Sequence, residues 1–511
     1  MPTESSRTLD ETRDIEKLES EVDLAAGLVI DGEVVERAAP DATSNEKDAV
    51  VLDWDGPDDP DDPQGWPLRK KLLLLNTVGL LCFTVTFGTS VIIGGVPQIM
   101  QKYNVGEVPS YLTVTLYLLG LALGPTLGAP ISELYGRRTV YIVTLPLAMC
   151  FAVGTALSPT FGGHLVCRFL CGLMGSPVLA VSAGTIADVF VPRDRGLALA
   201  FFCATGPFAG PTLGPVAGGW IATRKNWQWT MWLYLMICGA VLIPIMLIRE
   251  SYKPVILKRR AKARGLPLPA TPPLGIALKM VATITLTRPM RMLFTDAIVG
   301  SLSLYASFVF AVLLGFFEAL PYIFMNVYGF SIGDAGLVFI AIGVGILLSV
   351  VVSYLIEIHW YFPAAAACAP GEQPRAELRL YCAFVGSFLL PISLFWVGWT
   401  ARPSVPWIVP ALAGIPFGCS LTLLFFSIAT YMVDCYGHLL GASALAANNL
   451  ARYTVAAAFP LFINTMYQNL GIGWASSLLG FIGVGLLPLP FVMYRFGPAL
   501  RLRGLRNFGL A

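Results

Sequence analysis

The chain has 511 residues, a length that would serve two or three soluble domains, yet 56% of them are hydrophobic and 13% charged, with a mean hydropathy of +0.69. That composition excludes an ordinary soluble protein and points to a membrane one. A net charge of +2 leaves no basic footprint for nucleic acid, and none is expected as a partner.

Enzymatic and metal-dependent readings fail on spacing. The ten cysteines are scattered, form no CxxC, and read as free buried thiols. The three histidines, His164, His359 and His438, make no ligand or triad pattern. No GxxxxGK[ST] loop is present, so ATP-driven pumping has no support. We therefore expect no catalytic residue, no cofactor and no metal.

Residues 1–65 are acidic, polar and poor in aromatics, with neither the basic nor the apolar region of a signal peptide. They are expected to form a disordered cytoplasmic tail, because so little apolar surface cannot offset the entropy of ordering. Twelve runs long enough to span ~30 Å of hydrocarbon follow: 72–96, 110–131, 139–158, 163–187, 197–221, 229–248, 297–320, 335–356, 380–400, 407–432, 442–466 and 475–494. With the N-terminus inside, 28 of the 34 Lys and Arg fall in cytoplasmic segments and only Lys102, Arg224, Lys225 and Arg402 fall outside. Both termini are then cytoplasmic. The longest interruption, 249–291, divides the spans into bundles at 72–248 and 297–494, with 495–511 as a second tail. It carries the basic cluster Lys258, Arg259, Arg260, Lys262 and Arg264, then an apolar-basic stretch from Leu274 to Leu293 that suits an amphipathic helix or a solvated linker. The expected fold is an all-α membrane protein of twelve transmembrane helices in two six-helix bundles.

The fifth run holds Gly206, Pro207, Gly210, Pro211, Gly214, Pro215, Gly218 and Gly219, glycine recurring every fourth residue. In water each proline would cost such a helix ~3 kcal/mol and each glycine ~1 kcal/mol. In lipid the helix persists, since unpaired backbone groups have no water to turn to. The glycines make a smooth ridge for another helix, and the prolines set a bend.

At the inner rim, Ala129–Arg138 (APISELYGRR) places Glu133 before Gly136, Arg137 and Arg138. Gly136 permits a tight turn, and the carboxylate can pair with guanidinium groups as a latch between bundles. Arg193 and Arg195, flanking Asp194, can contribute. Charges within spans are costly and hence informative. Arg168 lies in span four, Arg452 midway along span eleven, and Glu318 near the outer end of span seven; Asp188 and Asp296 sit at inner ends. Glu318 is the leading proton-carrier candidate, with Arg168, Arg452 and Asp188 as coupling partners. Tyr111, Tyr117, Tyr305, Phe308, Phe425, Phe426, Tyr431, Asn448, Asn449 and Tyr453 are candidate cavity residues, a lining suited to apolar or weakly cationic organic ligands. Trp227, Trp229 and Trp232 are expected in the outer interface belt.

Several of these pieces carry a resemblance. The Gly206–Gly219 run is similar to the antiporter motif, and Ala129–Arg138 to the loop signature, of the major facilitator superfamily. Arg168 with Gly172 and Gly175 resembles its span-four motif. Phe316–Pro321 (FFEALP), Tyr431–Gly437 (YMVDCYG) and Ala442–Arg452 (ASALAANNLAR) resemble the twelve-span drug:proton antiporters of fungi. Departures exist: Ala129 replaces the signature's first glycine, Glu133 its aspartate, and Arg249 precedes Glu250, Ser251 and Tyr252 where proline is common. The loop after span eight has no Gly-Arg-Arg copy, which counts against a sugar porter. The resemblance implies a monomeric plasma-membrane exporter of small organic molecules, exchanging them for protons by alternating access. A polyamine or organic-acid carrier, and a non-transporting sensor on the same scaffold, are the alternatives.

Overall fold

The computed structural model of the chain describes residues 53–56, 59–265, 287–368 and 374–507. Regular structure among them is helical, and eleven helices are long and apolar enough to cross a membrane. The long helices in the first half are α1 (Leu68–Ser90), α2 (Glu107–Tyr135), α3 (Arg137–Leu157), α4 (Phe161–Gly175, continued by Pro177–Val189), α5 (Pro192–Cys203, a π turn Ala204–Phe208, then Ala209–Arg224) and α6 (Gln228–Leu247). The second half has α7 (Ala297–Tyr328), α8 (Phe339–Ile356) and α9 (Tyr381–Thr400). Gly437, at φ 60° and ψ −155°, then divides Gly414–Ala458 into α10 (414–436) and α11 (438–458). Gly471, at φ 75°, sets α12 (472–486) apart within Ile463–Leu486. Both breaks use a left-handed backbone that glycine adopts without steric cost.

The run at 442–466 forms a helix but is not among the eleven. Asn448, Asn449 and Arg452 lower its hydropathy. Asn448 and Arg452 are buried, so protein rather than lipid receives them.

The glycine ridge of α5 lies on α1. A Cβ on Gly210 would meet Thr86 Oγ1 at 2.2 Å, and one on Gly218 would meet Val91 O at 2.0 Å. Proline chemistry is answered from the same helix. Pro215 has no N–H to offer Pro211 O, and Ser90 Oγ donates to that carbonyl at 2.8 Å instead. The expected bend takes the form of the π turn Ala204–Phe208, and Thr86 Oγ1 reaches Gly206 O within it at 3.3 Å. The opposite face of α5 meets the second half: a Cβ on Gly336 would lie 2.5 Å from Pro215 O, and one on Gly219 2.8 Å from Ile332 O. The motif helix is thus pressed between α1 and the short helix Ile332–Leu337 that leads into α8. Small residues also bring α8 and α10 together, where Gly345 and Gly418 face Ile415 O and Ile342 O.

Three expectations change here. Residues 1–52 fall outside the described residues, but the later part of the acidic segment, expected to be disordered through residue 65, is ordered. Arg260, on the helix Lys253–Ala263, holds Asp59 through two hydrogen bonds of 2.6 and 2.8 Å and pairs with Asp61 at 2.6 Å. The segment lacks apolar surface of its own and gains order from the basic helix against it. The apolar-basic stretch from Leu274 falls on 266–286, outside the described residues, apart from its end in the helix Arg288–Thr295. Trp227 is buried against His164 rather than placed in an interface belt, whereas Trp229 is exposed. All ten cysteines are free as expected, but Cys150 is exposed and Cys167 and Cys368 half-buried.

Candidate functional site

One rim of the first half is built on Gly136, whose φ of 95° lets α3 start immediately after α2 ends. The first N–H groups of α3 have no intrahelical acceptor, and Glu250 supplies one. Its Oε1 accepts from Arg137 N at 2.8 Å and its Oε2 from Arg138 N at 3.2 Å, while Ser251 N and Tyr252 N also donate to Oε1. The Arg137 side chain pairs with Asp188 at 3.2 Å, donates to Ser132 Oγ at 2.7 Å, and lies 4.5 Å from the Tyr252 ring centre. Glu133, expected as the carboxylate of this latch, is exposed; the carboxylates bonded to the corner are Asp188 and Glu250. Asp188 therefore serves the rim, and Asp296 caps α7 by accepting from Ile298 N and Val299 N.

The second half repeats the arrangement without the Gly-Arg-Arg sequence. Arg379 pairs with Glu357 at 2.8 Å and Asp434 at 2.9 Å, and its guanidinium lies 3.6 Å from the Tyr361 ring centre. Glu357 lies against α5 of the other half, where a Cβ on Gly196 would meet its Oε1 at 2.8 Å. Arg195 Nη2 donates to Ala187 O at 3.0 Å. The sequence signal for this corner is an arginine before α9 and an aspartate closing α10, the counterparts of Arg137 and Asp188.

Arg168 is buried among α1, α2 and α4. Its Nε donates to Thr113 O and its Nη1 to Gly88 O, each at 3.0 Å, and its plane lies 4.3 Å from the Tyr117 ring centre. Tyr117 in turn donates to Val85 O at 2.7 Å. These two residues knit one bundle together.

The halves meet at a cluster around Arg452. Its guanidinium lies 4.5 Å from the Phe425 ring centre, 4.6 Å from that of Tyr453 and 4.8 Å from that of Phe310. Phe208, on the π turn of α5, stands edge-on to Phe425 at 5.0 Å and to Phe310 at 6.5 Å. Arg452 Nη2 donates to Asn449 Oδ1 at 2.8 Å, and Asn448 Nδ2 reaches Ser303 Oγ at 3.4 Å. Of the expected cavity residues, Asn449 and Tyr453 join this cluster together with Phe425. Phe426 instead packs with Ala200, Cys382 and Cys419. Tyr305 and Phe308 are buried on α7, Tyr305 with its hydroxyl unpaired, and Tyr111 is half-buried on α2. Phe208 and Phe310 were not legible as site residues; the prolines after the glycines were the one hint that α5 deforms at this level.

Glu318 is 5% exposed, and neither of its carboxylate oxygens has a hydrogen-bond partner. It lies eight residues beyond Phe310 on α7, about 12 Å along the axis. At this end, opposite the rim of Gly136, Thr115 of α2 donates to Ala457 O of α11 at 2.9 Å, and Glu107 accepts from Asn464. The better-formed voids are small, the larger of the two about 10 Å³, bounded by Phe316, Leu320 and Ile342. Through Thr115 and Ala457, and Glu107 and Asn464, the halves are closed on each other at this end.

The family model described as Major Facilitator Superfamily matches residues 78–460. Polyamine transporter 4 of Saccharomyces cerevisiae is 39% identical over 93% of this chain and 76% of its own length. Efflux pump radE of Floropilus chiversii is 36% identical over 91% and 87%. The multidrug transporter FLU1 of Candida albicans is 37% identical over 89% and 76%. Among solved structures, the proton:xylose symporter XylE shares the fold, with a TM-score of 0.62 at 17% identity over 84% of this chain and 96% of that one. The helical architecture agrees with these likenesses, and the chain belongs to the major facilitator superfamily of membrane transporters rather than to any enzyme family.

Proposed function

We propose that the chain exports small organic molecules in exchange for protons, with Glu318 as the group that loads and releases the proton. The supporting observation is the burial of Glu318 with both oxygens unpaired. An ionised carboxylate left so would be uncompensated, so parting of the outer ends of α2 and α11 is what would admit water and let it exchange a proton. The Arg452 cluster is the substrate site, α5 the hinge, and the clusters at Arg137 and Arg379 the inner gate, with Gly136 as its pivot. Twelve spans in two six-helix bundles, cytoplasmic termini, a functional monomer and a plasma-membrane location complete the reading. The names of radE and FLU1 favour export.

A polyamine carrier is the second reading, on the name of the yeast relative. The buried cation Arg452 at the meeting of the halves weighs against it. The test is reconstitution into vesicles with a panel of anionic, neutral and cationic dyes. A dye that accumulates against its gradient when a pH gradient is imposed, and ceases to do so with a protonophore, meets the expectation. Movement of dyes only down their gradients contradicts it.

A further inference from the structure

We infer that the central site recognises organic anions, an aromatic or apolar body carrying a carboxylate, and that Arg452 is the residue that holds the carboxylate. The inference deepens the transport reading and rests on it.

Among the described residues two arginines are buried, Arg168 and Arg452, and the contrast between them carries the argument. Arg168 directs Nε and Nη1 at two backbone carbonyls and leaves only Nη2 unpaired, so two of its three nitrogens have the partners of a structural residue. Arg452 is 3% exposed, yet its Nε and Nη1 have no acceptor, and Asn449 alone bonds its Nη2. No ion pair among the described residues involves it. Three rings surround it. They supply cation–π attraction, and the one acceptor they carry, the neutral hydroxyl of Tyr453, leaves Nε and Nη1 unpaired. A guanidinium held this way lacks what its planar fork best matches, a carboxylate taken up through two parallel hydrogen bonds.

Its position fits the same role. Phe208 comes from the first half and packs edge-on against Phe310 and Phe425 of the second. It sits on a π turn, a helical irregularity frequent at functional sites. When the halves part, an aromatic body takes the place of Phe208 between the rings while its carboxylate meets the second Nη2 hydrogen together with Nε or Nη1. A polyamine meets a fixed positive charge there instead.

The test measures binding to the purified full chain, so it does not depend on proton coupling. The probes are naphthoate, its neutral amide, and spermidine. Naphthoate is expected to bind about tenfold to a hundredfold more tightly than the amide, as a charged hydrogen bond does over a neutral one, and spermidine is expected not to displace it. Arg452→Gln should reduce the preference for acid over amide to within about threefold, and Arg452→Lys should keep part of it. Equal binding of acid and amide, displacement by spermidine, no saturable binding of naphthoate, or an undiminished preference in folded Arg452→Gln overturns the inference. If Arg452→Gln does not fold, the three probes on the unmodified chain decide. Intact proton-driven dye transport with no acid preference would fault this inference alone. An acid preference without proton-driven transport would fault the antiport reading alone.

Discussion

Gly214 of α5 and Ser90 of α1 touch so closely that a Cβ on Gly214 would fall 1.9 Å from Ser90 Oγ and 2.8 Å from Val91 N. The same hydroxyl donates to Pro211 O. One contact therefore serves both as the clearance between two helices and as the replacement for a hydrogen bond that Pro215 cannot make.

Gly214→Leu is accordingly expected to abolish transport while leaving membrane insertion intact, because insertion depends on apolar length and not on this crossing. Gly214→Ala should already impair transport, since backbone atoms of α1 stand in the way. Gly239→Ala, where nothing lies within 4 Å of the added carbon, is the matched control. Dye accumulation in vesicles with equal protein content measures all three. Normal transport by Gly214→Leu would show that the ridge is not a working interface.

Glycine and proline spacing made this helix legible, because close approach requires small residues wherever lipid provides no hydrophobic drive. Apolar length gave the other spans, and the polar face of α11 was read as a span despite Arg452. Long-range pairing was less legible. Glu133 lies four residues before Arg137, yet Asp188 and Glu250, 51 and 113 residues from Arg137, are the groups bonded there. The second rim cluster carries no loop signature at all, since electrostatics requires only an arginine between two carboxylates. Rings around Arg452 come from three separate helices, and no spacing along one helix reveals such a convergence.

The rim clusters supply the next prediction. Asp188→Asn removes the charge partner of Arg137, and Asp434→Asn weakens that of Arg379. Breaking a buried pair by deleting one partner costs roughly 3–5 kcal/mol, less here because the rim is partly exposed. Each variant is expected to hold the inner side open more of the time. Cys203, buried at the end of the first segment of α5, then becomes more reactive to a thiol reagent applied from the inner side, in a background with the other cysteines replaced. Glu133→Gln should leave that labelling unchanged. Equal labelling of Asp188→Asn and the parent would reduce the cluster to a topology signal.

The tail contact makes a separate prediction. Hydrogen bonds from Arg260, then from Asp61 N, hold the Asp59 carboxyl well below the usual carboxylate range. A carboxyl with a depressed value in the folded state favours docking above its free value, and that contribution is lost only as pH falls through the folded one. Docking of residues 53–56 and 59–61 should therefore persist at neutral and mildly acidic pH and fail in strong acid. Arg260→Ala should expose the segment at neutral pH, read as faster proteolysis between Trp54 and Gln64. A proteolysis rate equal to that of the parent would mean that the ion pairs do not hold the segment.

The last prediction concerns the driving force. The sequence has no nucleotide loop, so uphill transport has to draw on an ion gradient. One proton crossing 100 mV supplies ~2.3 kcal/mol, enough for roughly fiftyfold accumulation at ~1.4 kcal/mol per factor of ten. Using it requires a group whose protonation changes with access, and Glu318 is buried on α7 with neither oxygen paired. Glu318→Gln keeps the shape and most of the hydrogen-bonding capacity while removing titration, so folding should be little affected. In vesicles that variant is expected to lose accumulation driven by a pH gradient yet retain exchange of dye down its own gradient. Loss of both would point to a damaged substrate path rather than to proton coupling. Full pH-driven accumulation would remove Glu318 from the proton route and turn attention to Asp188, which is tied to Arg137 at 3.2 Å in the closed arrangement and would be released when the inner rim opens.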